Sequence, residues 1–270
     1  MAKRNLRIGI VQLEVTPLKS DNLRKILDSL ESMGQSCDVI VVFPEFSMGY
    51  PNGKLNRNFV EEIAEPVDGD FVERVVERSR EKQSILVLPI FEKNAGAVFN
   101  TSVIIDRGRV VGGYRKMHLF DAFGFRESEF FRRGSEMMLF TVKEFTFGVI
   151  TCYELRFPEL MRKQVISGAR AVIVPAAWVR GSLKEEQWQT LLMARAAENT
   201  SYVIGVGNAH KAFIGRSMIA DPLGVKVLDL GYGNQIGQYE IDDSVVTDAR
   251  EKVPVLQQSH NMSDVPCRTL

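Results

Sequence analysis

Short apolar runs and amphipathic stretches alternate along this chain. "LRIGIVQLEV" (6–15) has the β-branched content of a strand. "SDNLRKILDSLESMG" (20–34) puts Leu23, Ile26, Leu27 and Leu30 on one face and predicts a helix, with Ser20 or Asp21 able to cap it. "CDVIVVFPEF" (37–46) is continuously apolar, the pattern of a strand covered on both faces. A second amphipathic helix (70–83) turns Phe71, Val72, Val75 and Val76 inward, a strand follows (84–92), and 101–116 reads as two strands around an Asp-Arg-Gly turn. The order then returns. A strand (145–154) is followed by a helix (158–169) with Pro158 in its first turn and Gly168 near its end. Next come a strand (170–178), a helix (183–200), a strand (201–210) and a hairpin (215–231) around Asp221-Pro222-Leu223-Gly224.

Each half thus reads strand-helix-strand-helix-strand-hairpin. A sheet with helices on one face and apolar strands throughout must bury its other face as well. Packing the two sheets together does so, which predicts an α/β fold: a four-layer α-β-β-α sandwich with an internal pseudo-two-fold repeat. Residues 1–256 are expected to form this one domain. The polar, non-periodic stretch 257–270 is expected to be a tail, either mobile or laid across a partner subunit.

Composition narrows the function. The 270 residues are 45% hydrophobic and 25% charged, as in ordinary globular proteins. Lys plus Arg and Asp plus Glu both number 34, so no basic field argues for nucleic acid and no acidic tail argues for a basic partner. The apolar runs are too short for a membrane span, and the N-terminus lacks the pattern of a signal peptide. Three scattered cysteines form no disulfide framework, which places the protein in the reducing cytoplasm. Three histidines, none at ligand spacing, argue against a metal, and "GVGNAH" (205–210) lacks the rest of a dinucleotide fingerprint, so no cofactor is expected. Cys37 is expected in the core, and Cys267 is incidental.

In open α/β sheets, ligands gather beyond the carboxyl ends of strands. Three reactive groups arrive there from separate segments: Glu45 after "VIVVFP", Lys116 after "VVGGYR" and Cys152 after "GVIT". A thiol needs a base to become the reactive thiolate, and Glu45 can take the proton. Attack on an amide carbonyl makes an oxyanion, which Lys116 and the backbone N–H of Tyr153 can stabilise. Alone, Cys152 reads more often as a buried hydrophobe, Glu45 as a surface carboxylate and Lys116 as a solvated strand end.

At these residues the sequence resembles the nitrilase superfamily of carbon–nitrogen hydrolases. "VVFPEF" is similar to its glutamate motif, "GGYRKMHLF" to its lysine motif and "GVITCYELRFPEL" to its cysteine motif, with Glu154 where many relatives have Asp. "FNTSVIID", "LMARAAENTSYVIGVGN" and "GRSMIADPLG" resemble further family segments, and all occur in order over roughly residues 6–256. The resemblance implies the same sandwich, paired into a homodimer or higher oligomer, and a Glu45–Lys116–Cys152 triad. It implies a second glutamate in "FGFRESEFF", best matched by Glu127 with Glu129 the other candidate, that orients substrate and water. The "CYxLRFPEL" form resembles the branch acting on small amides with a carboxylate at the far end, the ω-amidases and deaminated-glutathione amidases. There Arg156 is placed to pair with that carboxylate. Trp178 is expected to pack or line the pocket, and Arg180 to be a second anion contact or a solvated loop charge. The expected function is hydrolysis of a non-peptide C–N bond in a small linear amide, by water, to a carboxylic acid and ammonia through a thioester. Hydrolysis of N-carbamoyl compounds or nitriles shares the triad, and a catalytically silent binding protein is the reading from another class.

Overall fold

The computed structural model describes residues 5–33 and 39–259. Cys37, Cys267 and all of the expected tail beyond Ser259 lie outside them. The first unit runs β1 (Asn5–Gln12), α1 (Lys19–Ser32), β2 (Val39–Val42), α2 (Arg57–Ile63), α3 (Asp70–Lys82), β3 (Ile85–Asn94), β4 (Ala97–Asp106) and β5 (Arg109–Arg115). A small hairpin follows, β6 (Asp121–Ala122) and β7 (Phe125–Arg126). The second unit runs β8 (Leu139–Val142), β9 (Phe145–Val149), α4 (Pro158–Ile166), β10 (Ala171–Ala176), α5 (Lys184–Asn199), β11 (Tyr202–Gly207), β12 (Met218–Ala220) and β13 (Lys226–Asp229). The described chain finishes with β14 (Gln235–Asp242), α6 (Asp243–Lys252) and α7 (Val255–Gln258).

Two six-stranded sheets result, in the orders β14-β1-β2-β3-β4-β5 and β8-β9-β10-β11-β12-β13. Written this way they share one plan. An antiparallel edge strand meets three parallel strands, and two antiparallel strands follow. The expected repeat is therefore a repeat of topology.

Alternation within strands decides the layers. Leu6, Ile8 and Ile10 of β1 pack with Ile40 and Val42 against Phe145, Phe147, Val149 and Ile173, filling the space between the sheets. Their neighbours Val11, Val39, Val41, Leu86 and Leu88 face the other way, onto Leu23, Ile26 and Leu30 of α1 and Phe71, Val72 and Val75 of α3. On the far side Val172, Val174 and Val203 meet Leu160, Met161 and Val165 of α4 and Trp188, Leu192 and Ala196 of α5. Three apolar layers thus hold four layers of structure. Each fully buried aliphatic or Phe side chain contributes about 1.5–3 kcal/mol.

The chain breaks where local chemistry says it should. Pro158 opens α4, and Gly168 takes φ 113° two residues past its last turn. The strand expected over 145–154 ends at Val149, and Cys152 lies in a tight turn instead.

Candidate active site

Glu45 lies three residues beyond β2, Lys116 one beyond β5, and Cys152 three beyond β9. Both sharp exits need unusual backbone. Phe46, directly after Glu45, has φ 66°, and Cys152 itself has φ 49°. A non-glycine residue held there costs on the order of 1–3 kcal/mol, so the surrounding packing must fix it. The effect is to aim the carboxylate and the sulfur back at the place where the sheets meet.

There they converge. Lys116 Nζ is 2.9 Å from Glu45 Oε1 and 2.9 Å from Glu127 Oε2. All three side chains are 1–2% exposed. The Cys152 thiol lines the same cavity as Glu45 and Lys116 and lies in the field of both. Glu45 Oε2 accepts the Ala177 N–H at 2.8 Å, and Asn208 Nδ2 donates to the Glu45 carbonyl at 3.0 Å. Glu127 Oε2 accepts the Phe120 N–H at 2.6 Å. Of the two candidates in this run, Glu127 is buried and joins the cluster, while Glu129 is exposed.

Asn100 was not among the residues singled out in the sequence. Its Nδ2 sits 2.8 Å from Glu45 Oε1 and 3.1 Å from Glu127 Oε1, bridging the two carboxylates opposite Lys116. The signal was the polar run Asn100-Thr101-Ser102 set between apolar residues of one strand, where a buried polar group must have partners. Arg115, the last residue of β5, is tied down rather than freely solvated. It donates to buried Glu92 at 2.8 and 2.5 Å and stacks 4.1 Å over Phe99.

Charge follows geometry. Burial alone lowers the Lys116 ammonium's pKa, but the Glu127 and Glu45 carboxylates outweigh it and keep the lysine charged. Burial raises the Glu127 carboxyl, against the opposing pull of Lys116. The Cys152 thiol is driven well above the ordinary thiol range, first by burial and then by the charge of Glu45, with Lys116 pulling the other way. These effects favour the thiol form of Cys152, so to act as a nucleophile it would first have to pass its proton to a neighbour.

Above this floor opens a cavity of about 390 Å³. Trp178, Phe213, Phe125 and Tyr153 give it apolar walls, and Arg156, Arg180, Lys54 and Lys184 line it as well. Arg156 donates to Gln187 at 2.9 Å and lies 4.9 Å from the centre of the Trp178 ring. Arg180 donates to the Phe213 carbonyl at 3.0 Å, and Lys184 sits 4.2 Å over the Phe123 ring. Among the described residues the partners of these three cations are neutral. Lys184 is lowered, by burial and then by the charge of Arg156, so it already lies in a positive field. Trp188 does not reach the cavity. It is fully buried, 5.3 Å from Trp178, with Nε1 bonded to the Arg216 carbonyl. Among the described residues no group of three or more His, Cys, Asp or Glu could hold a metal ion, and no helix is long and apolar enough to cross a membrane.

A sandwich of this topology with a thiol, two carboxylates and an ammonium on a cavity floor defines a class, and comparison agrees. Residues 7–251 match the model of the carbon–nitrogen hydrolase family, and the chain belongs to that family. It is thus an enzyme that hydrolyses carbon–nitrogen bonds. Within the family it is 37% identical to the deaminated glutathione amidase of Escherichia coli O157:H7, over 91% of this chain and 94% of that one. It is 30% identical to an omega-amidase of Saccharomyces cerevisiae, covering 94% of this chain and 93% of that one. The crystal structure of Saccharomyces cerevisiae Nit3, a member of branch 10 of the nitrilase superfamily, superposes with a TM-score of 0.81 at 27% identity, over 93% of this chain and 95% of that one.

Proposed function

We propose that this protein is a cysteine amidohydrolase acting on a small linear amide that carries a carboxylate, through a thioester on Cys152. The observation that carries this reading is the convergence of Cys152, Glu45 and Lys116 on the floor of one cavity whose walls bear four cations. The amidase names of the bacterial and yeast relatives support it.

Glu45 takes the thiol proton as Cys152 Sγ bonds to the amide carbon. The carbonyl electrons move onto oxygen, and Lys116 Nζ and the Tyr153 N–H stabilise that charge, each such donor being worth about 3–4 kcal/mol. Collapse breaks the C–N bond, Glu45 returns its proton to the nitrogen, and ammonia leaves. Water then enters, gives a proton to Glu45 and attacks the thioester. Its collapse frees the acid, and the sulfur recovers its proton. Glu127 anchors Lys116 and orients substrate and water. Arg156 pairs with the substrate carboxylate over the Trp178 ring, and Arg180 adds a second positive contact.

The test is turnover of α-ketoglutaramate, succinamate and deaminated glutathione, reading the freed ammonia or amine, by wild type and Cys152→Ala. Product is expected from wild type alone. Equal product from both proteins removes the reading. No turnover of these, nor of N-carbamoyl compounds or nitriles, leaves a silent binding protein. The scattered cysteines favour a cytoplasmic setting, and the resemblance implies a homodimer or higher homo-oligomer; sedimentation at the mass of a single chain overturns the latter.

A further inference from the structure

One buried carboxylate joins the segment carrying Lys116 to the turn carrying Cys152. Glu154 is fully buried. Its Oε1 accepts from the Tyr114 hydroxyl at 2.7 Å, the Met117 N–H at 2.8 Å and the His118 N–H at 2.9 Å. Its Oε2 accepts from the Thr151 N–H at 2.7 Å. Tyr114, Met117 and His118 flank Lys116 on both sides, and Thr151 directly precedes Cys152. The two segments leave different sheets, β5 from the first and β9 from the second. The Glu154 side chain therefore spans the sheet interface beside the reacting groups.

We propose that Glu154 is a positioning residue: its carboxylate clamps the Lys116 segment to the Cys152 turn and so sets the separation of ammonium and sulfur. A carboxylate offers acceptors only, and all four partners are donors. Glutamine has the same shape but turns one oxygen into a donor that faces another N–H. Aspartate is one methylene shorter and cannot serve both segments with the backbone in place. Lys116 offsets the effect of Glu45 on the thiol. A slipped clamp therefore leaves Cys152 harder to ionise.

This inference rests on the proposed roles of Cys152 and Lys116, but its principal readout needs no substrate. Alkylation of Cys152 by iodoacetamide is followed against pH by mass spectrometry of its peptide, in wild type, Glu154→Gln, Glu154→Asp and Tyr114→Phe. Glu154→Gln is expected to shift the profile to higher pH and to lower kcat about a hundredfold with little change in KM. Glu154→Asp should fall between it and wild type. Tyr114→Phe removes one donor and leaves the three backbone bonds, so it should lower Tm while keeping the wild-type profile. A folded Glu154→Gln with wild-type profile and kcat, whatever its Tm, overturns the proposal. Should that variant be insoluble, the same result for Glu154→Asp overturns it. Failure of the amidase reading registers separately, as turnover that survives Cys152→Ala.

Discussion

The floor and the mouth of the cavity use charge in opposite ways. On the floor, Lys116 is held between Glu45 and Glu127, with Asn100 on both carboxylates. Every charge has a charged partner, and burial makes each contact strong. At the mouth, Arg156, Arg180 and Lys184 rest on a carboxamide, a carbonyl and an aromatic ring. Among the described residues no protein anion is bonded to their charges, which line the cavity. A closed set of charges suits a reaction that is the same for every substrate. An open set suits a choice among substrates. The floor should therefore govern kcat and the mouth KM.

Replacing Lys116 by Met is the harshest test. It leaves two buried carboxylates without their cation, and breaking a buried pair costs about 3–5 kcal/mol. A large fall in Tm is expected, with a loss of kcat of about 10²–10³ in whatever protein remains folded. Glu45→Gln should cost about 10²–10⁴ in turnover. It should also make Cys152 easier to alkylate at neutral pH, because the Glu45 charge raises the thiol and Lys116 is left to lower it. Slower alkylation would reverse the assigned balance of charges. At the mouth, Arg156→Ala should raise KM for carboxylate-bearing amides about tenfold and leave neutral amides nearly unchanged. An equal loss on both kinds of substrate would erase the distinction between floor and mouth.

The smallest effect lies at the edge of the floor. Glu154, 3.6 Å from His118 Nδ1, raises the pKa of that imidazole. The folded value exceeds the unfolded one, so folding favours the protonated ring. Its contribution to stability is complete below about pH 6.5 and fades as pH rises through the folded value. Tm measured from pH 5 to 9 should show this slope in wild type and a flatter one in His118→Gln.

Much of this arrangement was legible in the sequence because strand ends announce themselves. Glu45 and Cys152 each follow a dense apolar run, and Lys116 follows a turn-and-strand pattern. Glu127 stood in a charged run, "RESEFFRR", whose ordinary reading is a solvated face. Its partner in that run, Glu129, does lie on the surface, so the pattern described one residue and concealed its neighbour. Asn100 and Glu154 were harder because their roles are relations. Asn100 matters through two carboxylates 55 and 27 positions away, and Glu154 through Tyr114 on β5 of the other sheet and Met117 and His118 just beyond it. Local periodicity carries no information of that range. The hairpin β6–β7 and the edge strand β8 were missed for a plainer reason. Strands of two and four residues are too short to show a period.

The edge strand β14 adds a constraint in time. It lies beside β1 from Asn5 opposite Asp242 to Gln12 opposite Gln235, so the first sheet waits on almost the last strand made. During synthesis Glu45, Lys116 and Cys152 leave the ribosome while one flank of β1 still lacks its neighbour, an exposed template for pairing with other chains. Completion of the enzyme is then a late, all-at-once event. Chains stalled before Gln235 should be recovered as chaperone clients, without partial activity.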